Sequence, residues 1–261
     1  MEICTLASGS SGNCTLLRSG DTAVLIDAGI SLRRIKTALS ELGLHIEDVA
    51  GVVITHEHSD HIAALKMLAR YTSVPIFVPS GAAPGIRAAV PETEESLALF
   101  TAGEDIVIGQ FVIKSFRTPH DAPESVGYRF EDGESTFALC TDLGCVTRTD
   151  FDGVTGADTV IIEANHDEDM LKNGRYPAYL KRRILSDSGH LSNAASGEFA
   201  AALAETGTRR IILGHLSHEN NLPGLALRAV GSALSAAGFC PGRDIELYAA
   251  PRSTMGDVYI C

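Results

Sequence analysis

The chain has 261 residues, and its 33 acidic against 21 basic residues give a formal net charge of −12. Such an acidic surface repels polyphosphate, which excludes a protein that coats nucleic acid by bulk attraction, so any phosphate contact must be local. With 45% hydrophobic residues, the chain can fill a sizeable core without disulfides.

The cysteines and the N-terminal residues indicate a reducing compartment. The six cysteines form no CxxC pair, and the opening MEICTLASGSSGN lacks the basic start and the apolar run of a signal peptide. No apolar run reaches the ~20 residues needed to cross a bilayer. We therefore expect a cytoplasmic protein without membrane contact, in which Cys140 and Cys145 are buried and inert.

Short β-rich runs open the chain, and helices follow between later strands. Ser31 can cap a helix that ends at Gly43, and Ser19-Gly20-Asp21 and Asp132-Gly133 favour hairpin turns. Strands are predicted near 2–7, 13–18, 22–27, 51–55, 74–78, 97–100, 105–109, 111–117, 125–131, 135–141, 158–163, 210–214, 245–249 and 256–260. Further helices are predicted near 60–71, 81–89, 192–206 and 223–237. No linker or repeat divides the chain, which predicts a single domain over 1–261 with a layered α/β arrangement.

Metal-binding residue types are concentrated in the run Thr55-His56-Glu57-His58-Ser59-Asp60-His61, directly after the apolar strand. Three of the nine histidines of the chain fall in this run. Imidazole and carboxylate bind divalent transition metals, and one such loop can serve two neighbouring ions. A solvated polar loop is the alternative, and this density of histidine disfavours it.

The HxHxDH run resembles the signature of the metallo-β-lactamase superfamily, and further motifs of that family follow predicted strands. They are Asp27 in LIDAG, His120 in RTPHD, Asp142 in CTDLG and His215 in ILGH. The resemblance implies an α/β fold, a four-layer αββα sandwich, with two divalent metal ions at one edge. Zinc, manganese and iron all suit nitrogen and oxygen ligands.

The resemblance also distributes the ligands. One metal would be bound by His56, His58 and His120, the other by Asp60, His61 and His215, with Asp142 between the two ions. Asp27 would hold a ligand in orientation from behind, although an ordinary turn acid is the alternative at this strand end.

The segments around these motifs look closest to the YycJ (WalJ) branch, which implies exonuclease action on DNA. These segments are LASGSSGNC, DAGIS, THEHSDH, NGRYPAYLKRRI, GHLSN and GHLSHENN. Two metals about 3.5–4 Å apart can bridge a water, lower its pKa and stabilise an in-line displacement at phosphorus. Asp60 and Asp142 would then serve catalysis as metal-bound carboxylates.

Two further histidines compete for the role of proton donor to the leaving oxygen. His190 lies in SGHLSN, and His218 follows His215 by three residues. The sequence does not choose between them. His166 lies in the polar run EANHDED, where a surface histidine is the expectation.

A basic stretch at 171–183 contains no acid in a chain that is otherwise acidic. Its cations would contact a phosphate backbone, and Tyr176 could stack on a base, whereas Tyr179 could equally pack into the core. Ser11 and Asn13, in the loop after the first strand, and Ser192 and Asn193 are weaker candidates, since tight turns and helix caps use the same residue types. The cationic candidates are Lys172, Arg175, Lys181, Arg182 and Arg183.

Two other function classes remain open from sequence. A hydrolase of small esters, lactones or thioesters would use the same metals but would need an apolar pocket. A binding protein without turnover ranks last, because every expected ligand type is present. Only 72 residues separate Asp142 from His215, which disfavours the inserted domain of RNase J-like enzymes. No protruding arm resembles that of RNase Z, and the absence of a secretion signal disfavours a β-lactamase. The oligomeric state is not encoded in any of these motifs.

Overall fold

A computed structural model describes residues 1–261 as two mixed seven-stranded sheets with helices on their outer faces. The strands are β1 (Glu2–Ala7), β2 (Cys14–Ser19), β3 (Thr22–Ile26), β4 (Val49–Val53), β5 (Ile76–Pro79), β6 (Leu97–Phe100), β7 (Asp105–Ile108), β8 (Phe111–Arg117), β9 (Val126–Glu131), β10 (Thr136–Cys140), β11 (Thr159–Glu163), β12 (Arg210–Gly214), β13 (Glu246–Ala249) and β14 (Val258–Ile260). The first sheet has the order β14-β1-β2-β3-β4-β5-β6, and the second β13-β12-β11-β10-β9-β8-β7.

The helices cover both sheets. They are α1 (Leu32–Glu41), α2 (Ser59–Ile62), α3 (Leu65–Tyr71), α4 (Ala83–Ala89), α5 (Arg148–Val154), α6 (Glu168–Asn173), α7 (Ala178–Ile184), α8 (Asn193–Glu205) and α9 (Pro223–Ala236), with short 3₁₀ turns at Ile46–Asp48 and Pro91–Thr93. None of them combines the length and the apolar character that a membrane crossing requires.

Strand alternation divides the apolar side chains between the layers. In β3, Leu25 packs with the residues under α1, α3 and α4, whereas Val24 and Ile26 pack against the second sheet. A third cluster joins the other face of the second sheet to α8 and α9. The order of layers is therefore αββα, as the family resemblance implied.

Parallel pairing brings several strand ends to one edge. Strands β3 and β4 are parallel, and so are β10, β11 and β12. Because the carboxyl ends of parallel strands lie at the same edge of a sheet, the residues that follow them converge there. This edge is where the candidate site forms.

The predicted helix over 60–71 is wrong in one respect, because the structure contains two helices, α2 and α3. The carbonyl of His61 accepts a hydrogen bond from Ala28 N–H, and Ala64 N–H donates to the Ala28 carbonyl, both at 2.8 Å. The loop after β3 thus takes the backbone groups that a continuous helix would have paired internally.

Three short helices were not predicted: α5, α6 and α7. Each has only six or seven residues, too few for a clear apolar period. N-terminal capping signals were nonetheless present for two of them. Thr147 and Asp150 form a capping box for α5, and the side chain of Asp167 caps α6.

Replacing Gly29 by alanine should displace the loop that carries Asp60. A Cβ at Gly29 would lie 1.6 Å from the Asp60 carbonyl oxygen, whereas one at Gly224 meets nothing closer than 3.7 Å. We expect Gly29→Ala to lower the free energy of unfolding by about 3 kcal/mol, and Gly224→Ala to change it by less than about 1 kcal/mol. Urea unfolding of both variants checks this; equal stability would contradict the packing at Gly29.

Candidate metal centre

Seven of the side chains singled out from the sequence converge at the shared edge. Their ligand atoms, together with those of Glu163 and His190, form overlapping groups whose members lie within 4.8 Å of one another. These groups are His56 with His58 and His120; His56 with His61 and Asp142; Asp60 with His61 and His215; and Asp142 with Glu163, His190 and His215. Asp142 belongs to two of them, which fits a carboxylate between two ions.

Unsatisfied atoms inside this cluster indicate what it can hold. His56 Nε2 and Asp142 Oδ2 are buried and have no hydrogen-bond partner. A buried lone pair without a donor is costly, and a cation between these atoms would satisfy both. The donor set of imidazoles and carboxylates suits zinc, manganese or iron, so the residues present fit divalent metal ions.

Asp27 lies behind the metal loop and is 2% exposed. Its carboxylate accepts a hydrogen bond from Thr55 N–H at 2.8 Å and lies 2.8 Å from His61 Nδ1. This contact leaves His61 Nε2 facing Asp60 and Asp142, at 3.6 and 3.5 Å. Asp27 therefore orients a candidate ligand and does not act as a simple turn acid.

Glu163, at the end of β11, orients two histidines in the second sheet in the way that Asp27 orients His61. It is fully buried, and its carboxylate lies 2.7 Å from His215 Nδ1 and 2.8 Å from His190 Nδ1. It also accepts hydrogen bonds from the backbone N–H groups of Leu143 and Leu191. Sequence analysis missed this residue, although a carboxylate that ends a buried parallel strand at the site edge was an available signal.

Three site residues have a left-handed backbone. The φ angles of Asp27, Asp142 and His215 are 60°, 57° and 54°, and the structure has no other non-glycine residue with positive φ. Each directly follows or nearly follows a strand, so the left-handed turn directs the side chain across the sheet edge. Asp and His tolerate this conformation better than most residues do.

In the metal-free centre the pKa values of the histidines differ, so that some imidazoles are neutral and others are charged. Burial and the neighbouring imidazoles hold the pKa of His56 well below its usual range. Burial alone would also lower the pKa of His61, but the carboxylates of Asp27, Asp142 and Asp60 outweigh it and raise that pKa to about 9. A cation would therefore have to displace a proton from His61.

The structure separates the two candidate proton donors. His190 lies inside the cluster, with its ring centroid 5.2 Å from those of His120 and His215. The side chain of His218 is 79% exposed and contacts only the neighbouring Glu219. His218 belongs to none of the ligand groups, so the structure does not support the sequence-based suggestion for this residue.

A cavity of about 160 Å³ opens beside the cluster. Its lining includes His190 on one side and Tyr176 and Arg183, from the segment around α7, on the other. Arg183 Nε lies 2.5 Å from Asp121, whose carboxylate is 3.4 Å from His120 Nε2. The remaining lining residues are Ser10, Asp121, Asn165, Leu180, Ile184, Gly189 and Ser217.

The basic stretch is only partly available for phosphate. Lys172 forms an ion pair with Glu168 at 2.7 Å, and Arg183 is held by Asp121. Arg175, Lys181 and Arg182 have no acidic partner within 4 Å, although Lys181 donates to the Lys172 carbonyl. The side chain of Tyr179 is exposed at 68%, which excludes the alternative of core packing.

The weaker candidates for substrate contact also differ in exposure and in hydrogen bonding. Ser11 is exposed, and the Asn13 amide lies 3.4 Å from Asp60 Oδ2 and 3.2 Å from His61 Nε2. The Ser192 hydroxyl caps α8. Asn193 is 3% exposed and exchanges hydrogen bonds with Asn221, so its side chain is already engaged inside the protein.

Two expectations about residues outside the site also need correction. His166, expected at the surface, is 1% exposed because the chain after β11 passes beneath the start of α8, and burial lowers its pKa to about 4. Cys140 is buried as predicted, but Cys145 is partly exposed. Burial raises the pKa of both thiols, which keeps them protonated.

Comparison with known proteins assigns the family. A model described as Beta-lactamase superfamily domain matches residues 22–216, which include every candidate ligand. The chain belongs to this superfamily. The metallo-β-lactamase fold protein YhfI from Bacillus subtilis has the same fold, with a TM-score of 0.73 at 20% identity over 99% of this chain and 98% of that chain.

Two curated relatives cover almost the whole of this superfamily member. It is 35% identical to Exodeoxyribonuclease YycJ of Bacillus anthracis over 95% of this chain and 94% of the relative. It is 37% identical to Exodeoxyribonuclease WalJ of Streptococcus pneumoniae, strain D39, over 93% of this chain and 91% of the relative. The resemblance inferred from the sequence motifs is confirmed.

Divalent-ion binding at this centre should release protons between pH 7 and 8. His61 is protonated up to about pH 9 in the metal-free protein, and imidazole must be neutral to bind a metal. Metal affinity should therefore rise with pH over this range. Calorimetric titration in two buffers of different ionisation enthalpy measures the release; identical heats in both buffers would contradict it.

Replacing Glu163 by glutamine should weaken metal binding by about 10- to 100-fold, because the amide has no charge and has only one oxygen. Glu163 Oε1 accepts from His190 and His215, and Oε2 accepts from the backbone N–H groups of Leu143 and Leu191, so an NH₂ group in either position would face donors. The matched control is Glu198→Gln, an exposed carboxylate on α8 without an ion pair. Competition with a chelating dye gives both affinities. Equal affinity of the two variants would exclude an orienting role for Glu163.

Proposed function

We propose that this protein is a dinuclear metal-dependent phosphodiesterase that removes nucleotides from DNA ends. The observation that carries the proposal is a pair of histidine–carboxylate groups joined at Asp142 and open to a cavity bordered by arginine. The curated relatives named as exodeoxyribonucleases support DNA as the substrate. RNA and small esters are the outcomes that an assay must separate from it.

In this proposal His56, His58 and His120 hold one ion, and Asp60, His61 and His215 hold the other. Asp142 lies between them, and zinc or manganese is the expected metal. Bound ions supply Lewis-acid chemistry, polarising a phosphate and lowering the pKa of a nearby water. Asp27 and Glu163 keep the imidazoles of His61 and His215 turned towards the ions.

His190 donates a proton to the leaving oxygen in the proposed reaction. Its Nδ1 is fixed by Glu163, so the rest of the ring faces the cavity, where it remains 19% exposed. The proton passes to the oxygen as the phosphorus–oxygen bond breaks, and solvent in the cavity can replace it. His218 is exposed and belongs to none of the ligand groups, so it is not placed to do this.

The unpaired cations beside the cavity favour a phosphodiester over a small acyl substrate. The cavity lining itself combines hydroxyl, amide, imidazole, carboxylate and guanidinium groups with the aliphatic side chains of Leu180 and Ile184. A lactonase or thioesterase would need an apolar pocket for its substrate. Arg175, Lys181 and Arg182, which have no acidic partner, instead offer charge-assisted hydrogen bonds to phosphate oxygens.

A reducing cytoplasmic location completes the proposal. All six cysteines are free, including the buried Cys4, Cys14 and Cys140. Unpaired cysteines are usual in compartments that keep thiols reduced.

The proposal is tested by offering the purified protein, with Mn²⁺ or Zn²⁺, end-labelled duplex DNA, single-stranded DNA, RNA and a chromogenic lactone in parallel. Stepwise shortening of DNA is expected, and it should be lost in His58→Ala and Asp142→Ala without loss of the fold. Lactone turnover in the absence of DNA cleavage would overturn the proposal.

Replacing His190 by alanine should slow DNA hydrolysis by about 10²- to 10⁴-fold, because the leaving alkoxide then lacks a proton. Hydrolysis of bis(p-nitrophenyl) phosphate, whose leaving group needs no proton, should fall far less. His218→Ala is the control and should leave both rates unchanged. An equal loss on both substrates in His190→Ala would mean that His190 supports the metal centre and does not transfer a proton.

A further inference from the structure

Basic side chains that lack an acidic partner are unevenly distributed over the molecule. Twelve of the 21 basic residues have a carboxylate within 4 Å. The other nine are Arg33, Arg34, Lys36, Arg175, Lys181, Arg182, Arg209, Arg228 and Arg252. A cation without a neighbouring acid keeps its full attraction for a phosphate, so these nine positions decide where an acidic protein can bind DNA.

Seven of the nine fall into two groups. One consists of Arg175, Lys181 and Arg182, which lie in α7 or just before it, and we call it the α7 segment. The other consists of Arg33, Arg34 and Lys36 on the first turns of α1 together with Arg252, and we call it the α1 surface. The three α1 cations are exposed, and Glu41 is the one acid in the grooves that they line.

The α1 surface is connected to the candidate active site by direct contacts. Arg252 Nη1 donates to the Ser217 carbonyl at 2.9 Å, and Ser217 lines the cavity that also contains His190. Arg34 Nη2 donates to the carbonyl of Ser253, the residue after Arg252, at 2.9 Å. The cations thus continue from the edge of the cavity onto α1.

A second path of contacts joins the same helix to the metal loop. Gly29, two residues before the Ser31 cap, donates to the Asn13 carbonyl, and Asn13 N–H donates to the carbonyl of Asp60, both at 2.8 Å. The helix start is therefore fixed relative to Asp60. The α7 segment borders the cavity on the side of Tyr176 and Arg183, whereas Ser217 and Arg252 connect it to α1.

We propose that the α1 surface binds the complementary strand of a DNA duplex while the α7 segment contacts the strand that enters the metal centre. The inference rests on the proposed function. Two separate cationic surfaces, one bordering the cavity and the other connected to it through Arg252 and Ser217, match a ligand with two phosphate backbones, whereas a single strand would use one of them. Exposed cations on a helix contact phosphates without reading sequence, so the α1 surface contributes affinity for duplex ends and no base preference.

The test measures binding in EDTA, where no cleavage occurs, by fluorescence anisotropy between 50 and 200 mM salt. The triple variant Arg33→Ala, Arg34→Ala, Lys36→Ala should lose roughly tenfold or more in duplex affinity, and its salt slope should fall by about 2 to 3. Its affinity for the same labelled strand without a complement should stay within about twofold. The double variant Arg33→Gln, Lys36→Gln keeps the Arg34 contact with Ser253 and should show the same selectivity if the triple variant folds poorly.

Two control variants show whether a loss of affinity is specific to the α1 surface. Arg209→Ala, Arg228→Ala removes two other unpaired cations and should change neither affinity, whereas Arg175→Ala, Lys181→Ala, Arg182→Ala should weaken both. Equal loss of single-strand and duplex binding in the α1 variants would show that the surface follows the cut strand, and no loss would show that it does not bind DNA. Both results overturn the inference. Cleavage of labelled single-stranded DNA with Mn²⁺, run alongside, tests the proposed function independently.

Discussion

The hydrogen bond that the Nδ1–H of a histidine donates to a buried carboxylate is the interaction on which the centre depends. It occurs in both sheets: Asp27, after β3, holds His61, and Glu163, at the end of β11, holds both His190 and His215. Burying a carboxylate is costly unless it is paired, and removing one partner of such a pair typically costs about 3–5 kcal/mol. These pairs therefore fix the positions of His61 and His215 relative to the two sheets, because moving either imidazole would leave a buried carboxylate without its partner.

The backbone at the strand ends also helps to place the side chains of the centre. Asp27, Asp142 and His215 adopt left-handed conformations, each of which costs about 1–3 kcal/mol for a residue with a side chain. A strand that continued in extended geometry would direct the next side chain to one face of its own sheet. The left-handed turn instead projects it over the edge, where side chains from both sheets meet. Burial of the surrounding apolar residues offsets this strain.

Much of this arrangement could be predicted from the sequence, because its signals are local. The HxHxDH run, the motif residues after strands and the alternation of apolar side chains indicated the sheets, the layers and seven candidate ligands. Glu163 was missed because its role depends on a contact with His215, 52 residues away, and its position at the end of a buried strand was the single local signal. The break between α2 and α3 was invisible for the same reason, since it follows from hydrogen bonds with Ala28. His190 and His218 could be separated only by the folded structure, in which His190 belongs to the cluster and His218 is exposed.

The net charge of −12 and a nucleic-acid substrate are compatible because acids and bases are paired unevenly. Most cations are neutralised by neighbouring carboxylates, which leaves the bulk of the surface repulsive to phosphate. The unpaired ones lie mainly beside the cavity, on the α7 segment and on the α1 surface. Repulsion elsewhere then disfavours binding along the middle of a duplex, where phosphates would face the acidic surface. An acidic protein with two local cationic surfaces is thus suited to bind DNA at an end, where the strand termini can reach the metal centre and the rest of the duplex leads away.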